Sequence, residues 1–303
     1  MTFNEFIQSR FYIINDVLRY RKAFKNYLQV IYHTLRKEYP ILVVLKNGEK
    51  KVLNNRIEVY TSSLGLENHF KITDNLVTIT EDSKTIQLYD AIGNGDVCGI
   101  FLKEEYKFLP VKDRIVIDIG ANIGDSAIYF ALKGAKKIIA LEPFPKNFNS
   151  AKKNIELNNL SDKIELQLAG CSSKTGEMIV NSIEGSSQSS LRESSEGKNI
   201  PLLTLENIIK TNKIESALLK MDCEGCEYDS ILNSSEDILK KFSHIQLEYH
   251  YGYKNIKNKL EKCGFEVSIT KPIFNLNYEA SESKMYIGFL YAKKLKETKI
   301  KRN

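Results

Sequence analysis

The chain's 303 residues are enough for one large or two ordinary domains, and 42% hydrophobic with 27% charged residues is an ordinary soluble globular composition. No run approaches the ~20 apolar residues of a membrane span, and no basic region with an apolar core and a small-residue cleavage site opens the chain, so no signal peptide is expected. The net charge is +6, but the lysines are spread and Trp is absent, so nucleic acid is not an expected partner.

Residues 3–39 are helical in pattern. Ile14, Val17, Leu18, Phe24, Leu28, Ile31 and Leu35 recur at three- and four-residue steps, and Pro40 stops the run. This stripe is expected to pack on the rest of the protein or on a second subunit. Residues 41–60 read as strands, with an Asn47-Gly48 hairpin signal inside them. Residues 76–80 and 85–89 form a second alternating pair. A loop at 91–95 closes this N-terminal helix plus small β-rich region, residues 1–95. Acceptor recognition and homo-oligomer formation are both open as its role.

A lead-in helix is expected over 96–109. Then comes RIVIDIGANIGDSAIYFALKGAKKIIALEP, residues 114–143. An apolar run, a glycine turn, a helix and a second apolar run make a parallel βαβ unit. Gly120 and Gly124 bracket the turn, where a ligand can approach the backbone. Glu142 ends the second strand about 20 residues on, where an acidic side chain can take ribose hydroxyls. The dinucleotide fingerprint wants a middle glycine, and Asn122 stands near that place. Asp118 adds a carboxylate at the first strand's end. A pyrophosphate would be repelled there and a sulfonium or amino group attracted. The turn therefore suits S-adenosylmethionine better than a nicotinamide dinucleotide.

Helix 145–157 and strand 163–168 complete β-α-β-α-β, half of a doubly wound sheet. Residues 181–199 are rich in Ser, Gly and Glu and read as a loop, either a plain insertion or a lid. Strand 217–221 ends in Asp222-Cys223-Glu224-Gly225-Cys226-Glu227, and strand 244–247 in Glu248-Tyr249-His250. Two strands near 265–270 and 284–292 close the sheet. Ligands of open α/β sheets sit outside the carboxyl ends of the strands. Asp222, Glu224 and His250 are the candidates for a base there, or two or three carboxylates (Asp222, Glu224, Glu248) hold a divalent metal. Cys223-x-x-Cys226 has no second pair at metal spacing, so both are read as small, mostly buried residues. The five cysteines (with Cys98, Cys171 and Cys263) are scattered and odd in number, which fits a reducing cytoplasm.

Three stretches carry a family resemblance: VIDIGANIGDSAIYFA, Ala140-Leu141-Glu142-Pro143 with Pro145 and Asn154, and LLKMDCEGCEYDSI, which matches a K-x-D-x-E-G-x-E signature. Residues 96 to about 292 resemble the FkbM-type S-adenosylmethionine-dependent methyltransferases. The resemblance implies a class I, Rossmann-like α/β fold with a seven-stranded sheet over 96–293, followed by a basic tail, 294–303. It implies Asp118, Gly120, Asn122, Gly124 and Glu142 as donor-binding residues, with Ala121, Asp125 and Pro143 beside them. Asp222 and Glu224 match the family's site carboxylates. It implies O-methylation of a sugar, glycan, glycolipid or other small metabolite. Cysteines stand where the signature has a small apolar residue. The alternatives are a non-catalytic nucleoside-binding regulatory or scaffold protein and a nicotinamide-dependent oxidoreductase.

Overall fold

A computed structural model describes residues 15–81, 84–181, 193–274 and 286–295. Residues 182–192 of the expected 181–199 loop, the start of the first helix and most of the basic tail lie outside the described residues, and the end of that loop, Lys198 and Asn199, is the start of a strand. The chain divides into two compact units, Met1–Lys103 and Glu104–Asn303.

In the first unit, residues 15–23 are helical, and α1 (Tyr27–Arg36) follows a break. At the break Phe24 bridges to Leu45, so the helical phase restarts. This corrects the single apolar stripe. Tyr20, Phe24 and Val30 are buried, whereas Leu28 and Leu35 are 68% and 61% exposed. β1 (Ile41–Val44) and β2 (Lys50–Leu53) form the expected hairpin, with Gly48 at φ +95° in its turn. The strand reading fails beyond Leu53, because α2 (Arg56–Leu64) begins there. Asn55 caps it, accepting the Glu58 N–H at 3.0 Å, while the Glu58 carboxylate accepts the Asn54 N–H at 2.6 Å. These side-chain bonds satisfy donors that a helix start leaves unpaired, and they override the β-branched residues Ile57, Val59 and Thr61. An antiparallel meander follows, β3 (Phe70–Thr73), β4 (Leu76–Glu81) and β5 (Lys84–Tyr89). The lead-in helix shrinks to one wide turn, Cys98–Leu102.

The second unit is built on β6 (Ile115–Ile119), α3 (Asp125–Leu132), β7 (Lys137–Leu141), α4 (Pro145–Leu157) and β8 (Ile164–Gln167). Next come β9 (Gly170–Cys171), β10 (Gly176–Val180), β11 (Lys198–Leu203) and α5 (Leu205–Thr211). The chain closes with β12 (Ala217–Met221), α6 (Cys226–Asn233), β13 (Phe242–Tyr249), α7 (Lys254–Lys262), β14 (Phe265–Ile269), β15 (Ile273–Phe274) and β16 (Tyr286–Lys294). Seven strands run in the order β8-β7-β6-β12-β13-β16-β14, and β15 pairs on β16. Pairs from β8 to β13 are parallel, and β16 enters antiparallel between β13 and β14. This is the seven-stranded, mostly parallel, Rossmann-like α/β sheet that was expected. Its strands are buried on both faces, which is why they read as continuous apolar runs. Ile117, Ile119, Ile139, Leu219, Met221, Ile245 and Leu247 form the core, each contributing about 1.5–3 kcal/mol by burial. Strand order reverses between β6 and β12, and their carboxyl ends meet there, with Met221 opposite Ile119.

Candidate active site

A cleft of about 490 Å³, partly open to solvent, lies at the ends of β6, β7 and β12. That is the position at which open α/β sheets take small ligands. Gly120, Asn122, Glu142, Pro143 and Phe144 line one side, and Asp222, Cys223, Glu224 and Cys226 the other.

The turn after β6 has little freedom. Gly120 has φ +80°, and a Cβ there would lie 1.8 Å from the Asp222 carbonyl oxygen. Only glycine lets the β6 and β12 ends come this close. Asn122 is also left-handed, at φ +48°, and its N–H donates to Glu142 Oε2 at 2.8 Å. The Phe144 N–H donates to Oε1 at 3.0 Å. Glu142 therefore ties the first turn to the second. Burial pushes its carboxyl up to about 8, against the opposing pull of those two N–H groups and of Lys220.

Asp118, Ala121, Gly124 and Asp125 do not line the cleft. The sequence reading put the Asp118 charge toward a ligand. The structure buries it completely, with Oδ1 3.0 Å from Lys220 Nζ and Oδ2 accepting from Ser126 Oγ at 2.7 Å. Its charge is spent inside the protein. Lys220 also donates to the Gly120 carbonyl at 2.7 Å, bracing the turn from below. Burial pulls the Lys220 ammonium down, but Asp118 and Asp222 outweigh it and raise it above its ordinary value. Gly124 and Asp125 start α3, where Gly124 packs against Ala151 and the Asp125 carboxylate accepts the Ser126 N–H at 2.9 Å.

At the end of β12, ligand atoms of Asp222, Glu224 and His250 lie within 4.8 Å of one another. His250 Nε2 is 3.3 Å from Glu224 Oε2 and 3.9 Å from Asp222 Oδ1. Its other nitrogen, Nδ1, lies 3.4 Å from Glu227 Oε1. Glu227 is fully buried and accepts the N–H groups of Cys223 at 2.8 Å and Gly225 at 2.9 Å. Burial pulls the His250 imidazole down, but Glu224 and Glu227 outweigh it and hold it well above its ordinary value. His250 is thus a buried cation between two carboxylates, which fits an orienting charge better than a base. Burial raises the Asp222 carboxyl, and burial beside Asp222 raises Glu248 well above the carboxylate range. His250, not Glu248, joins Asp222 and Glu224 in the cluster.

The cysteine reading needs correction. Cys223 and Cys226 are bonded to each other, their Cα atoms 5.5 Å apart across the turn, and both are only partly buried. Cys98, Cys171 and Cys263 are free. The four-residue turn folds back far enough for the two sulfurs to meet. Lys220 and Glu227 stand in the quoted signature without a role assigned from sequence. Their functions as brace and as His250 partner depend on residues that only the fold brings near.

Residues 118–267 match the model of the methyltransferase FkbM domain. The chain is 25% identical over 216 residues to Methyltransferase 1 of Beauveria bassiana, covering 62% of this chain and 85% of that one. It is 34% identical over 87 residues to a ribosomal protein L11 methyltransferase of Carboxydothermus hydrogenoformans, 28% of each chain. Among solved structures it is similar to M. jannaschii TYW2 in complex with AdoMet, with TM-score 0.36 and 13% identity over 74% of this chain and 89% of that one. The chain thus carries a methyltransferase FkbM domain over residues 118–267.

Proposed function

We propose that the protein transfers the methyl group of S-adenosylmethionine to a hydroxyl oxygen of a small-molecule or glycan acceptor. The observation that carries this is the convergence of Asp222, Glu224 and His250 beside the Gly120 turn, at the sheet's switch point. In this reading the turn over 120–122 and Glu142 seat the donor, with Glu142 on the ribose hydroxyls. The acceptor oxygen attacks the methyl carbon in line, the carbon–sulfur bond breaks as the carbon–oxygen bond forms, and S-adenosylhomocysteine leaves. Asp222 takes the hydroxyl proton, and the charge of His250 fixes the neighbouring Glu224. With the His250 proton displaced, the same oxygen and nitrogen atoms would suit a divalent cation, which would lower the acceptor hydroxyl's pKa in place of a base. We assign the methyltransferase domain to residues 96–293.

S-adenosylhomocysteine should stabilise the protein by mass action, about 2.7 kcal/mol at a hundredfold excess over Kd. Stabilisation by NAD instead would sink this reading and favour an oxidoreductase. Incubating a glycan and metabolite panel with isotopically labelled donor identifies the acceptor by mass. Asp222→Asn should keep S-adenosylhomocysteine binding and lose turnover by roughly a hundredfold or more. Unchanged turnover would remove Asp222 from its role.

A further inference from the structure

Three cysteines line the cleft, and two of them, Cys223 and Cys226, are bonded to each other, yet methyl transfer has no use for sulfur at either position. Their bond encloses only Glu224 and Gly225, so Glu224, a member of the reacting cluster, sits inside the smallest loop of the site. We propose that Cys223 and Cys226 are a reversible redox-modification site, whose bridged form holds Glu224 against His250 and whose reduced form releases it. This rests on Asp222, Glu224 and His250 being the reacting cluster.

Three observations support it. First, Glu224 is left-handed at φ +54° and Gly225 follows at φ +121°. A side-chain-bearing residue resists that conformation, so the turn needs a restraint, and the bond is a direct one. Second, the pair is reachable. Both cysteines are partly exposed at the cleft wall, whereas Cys171 and Cys263 are buried. Third, the turn survives loss of the bond. Glu227 still ties the N–H groups of Cys223 and Gly225, and Tyr251 still packs over Gly225. Two thiols take more room than one bonded pair, so the sulfurs must part at the wall of the cleft while the rest of the site stays folded. Reduction therefore loosens Glu224 without unfolding the domain.

The chemistry balances with a thiol reductant of the glutathione class. One reductant thiolate attacks a protein sulfur, the sulfur–sulfur bond breaks, and a mixed disulfide forms. A second reductant thiolate attacks the first reductant's sulfur, and the protein cysteine leaves as its thiolate. The two cysteines gain two electrons and two protons, and the reductant leaves as its own disulfide.

The test uses the full chain in glutathione buffers poised oxidised or reduced. Thiols are counted by alkylation in denaturant and mass spectrometry, and S-adenosylhomocysteine affinity is measured by calorimetry. The count should be three thiols in the oxidised state, matching the free Cys98, Cys171 and Cys263, and all five in the reduced state. Affinity should fall by about fivefold or more on reduction. The double variant Cys223→Ser, Cys226→Ser should keep the weaker affinity in both buffers. Five thiols in the oxidised buffer, equal affinities, or a double variant that still responds to the buffer would each overturn the proposal. If S-adenosylhomocysteine binds in neither state, the proposed function fails first. Hydrogen exchange across residues 222–228 then decides: faster exchange on reduction upholds the switch, and unchanged exchange refutes it.

Discussion

Glu142 offers a direct test of the site's electrostatics. Its carboxyl is raised from 4.5 to about 8, chiefly by burial. The folded protein therefore holds a proton that the unfolded chain releases between those values. Where the native state binds more protons, stability falls as pH rises, by about 1.4 kcal/mol per unit for one group. From about pH 6 to about pH 7.5 Glu142 alone should cost about 2 kcal/mol. Glu142→Gln removes the ionisation. Its single acceptor oxygen leaves either the Asn122 or the Phe144 N–H unpaired, a pH-independent penalty of about 1–3 kcal/mol. The decisive quantity is thus the difference in slope. Urea unfolding of both proteins at the two pH values measures it, since the other titrating groups cancel. The wild type should lose about 2 kcal/mol more than the variant across that window. Parallel losses would mean that Glu142 is already ionised in the fold, and the burial argument would be wrong.

Two further outcomes concern the brace beneath the turn. Lys220→Met leaves Asp118 buried with only Ser126 as partner, so it should destabilise the protein by about 3–5 kcal/mol in denaturant unfolding. A cost below roughly 1 kcal/mol would show that water reaches Asp118. Gly120→Ala drives a methyl group into the Asp222 carbonyl at a positive φ. It should cost about 1–3 kcal/mol or more and weaken S-adenosylhomocysteine binding by roughly tenfold, as read by thermal unfolding and calorimetry.

What the sequence made legible is what local chemistry decides. Asn47-Gly48 marked its hairpin because few other residue pairs fit that turn. The runs from Ile115 and from Ala217 marked parallel strands because both faces are covered. Gly120 was legible as a close approach, though not that the Asp222 carbonyl is what approaches it. Residues 56–60 were misread because Ile57 and Val59 favour strands in isolation, while the Asn55 and Glu58 bonds that decide the matter act through side chains at the helix start. Asp118 looked available to a ligand because its partner, Lys220, stands about a hundred residues away and pairs only once β12 docks on β6. Cys223 and Cys226 looked like small filler because spacing alone does not show how sharply a turn folds.

The meeting of β6 and β12 has a consequence for how the protein matures. Every support of the donor turn from Lys220 and Asp222 crosses about a hundred residues of chain. Closing so long a loop costs entropy before any contact repays it, which slows such pairings relative to local ones. A growing chain that has just passed Glu142 holds the whole glycine turn but none of the bracing that β12 supplies. Asp118 at that stage has no cation, and the glycine turn has no carbonyl to lean on. The proposed donor site is therefore completed in one step, late, when the second half of the sheet joins the first.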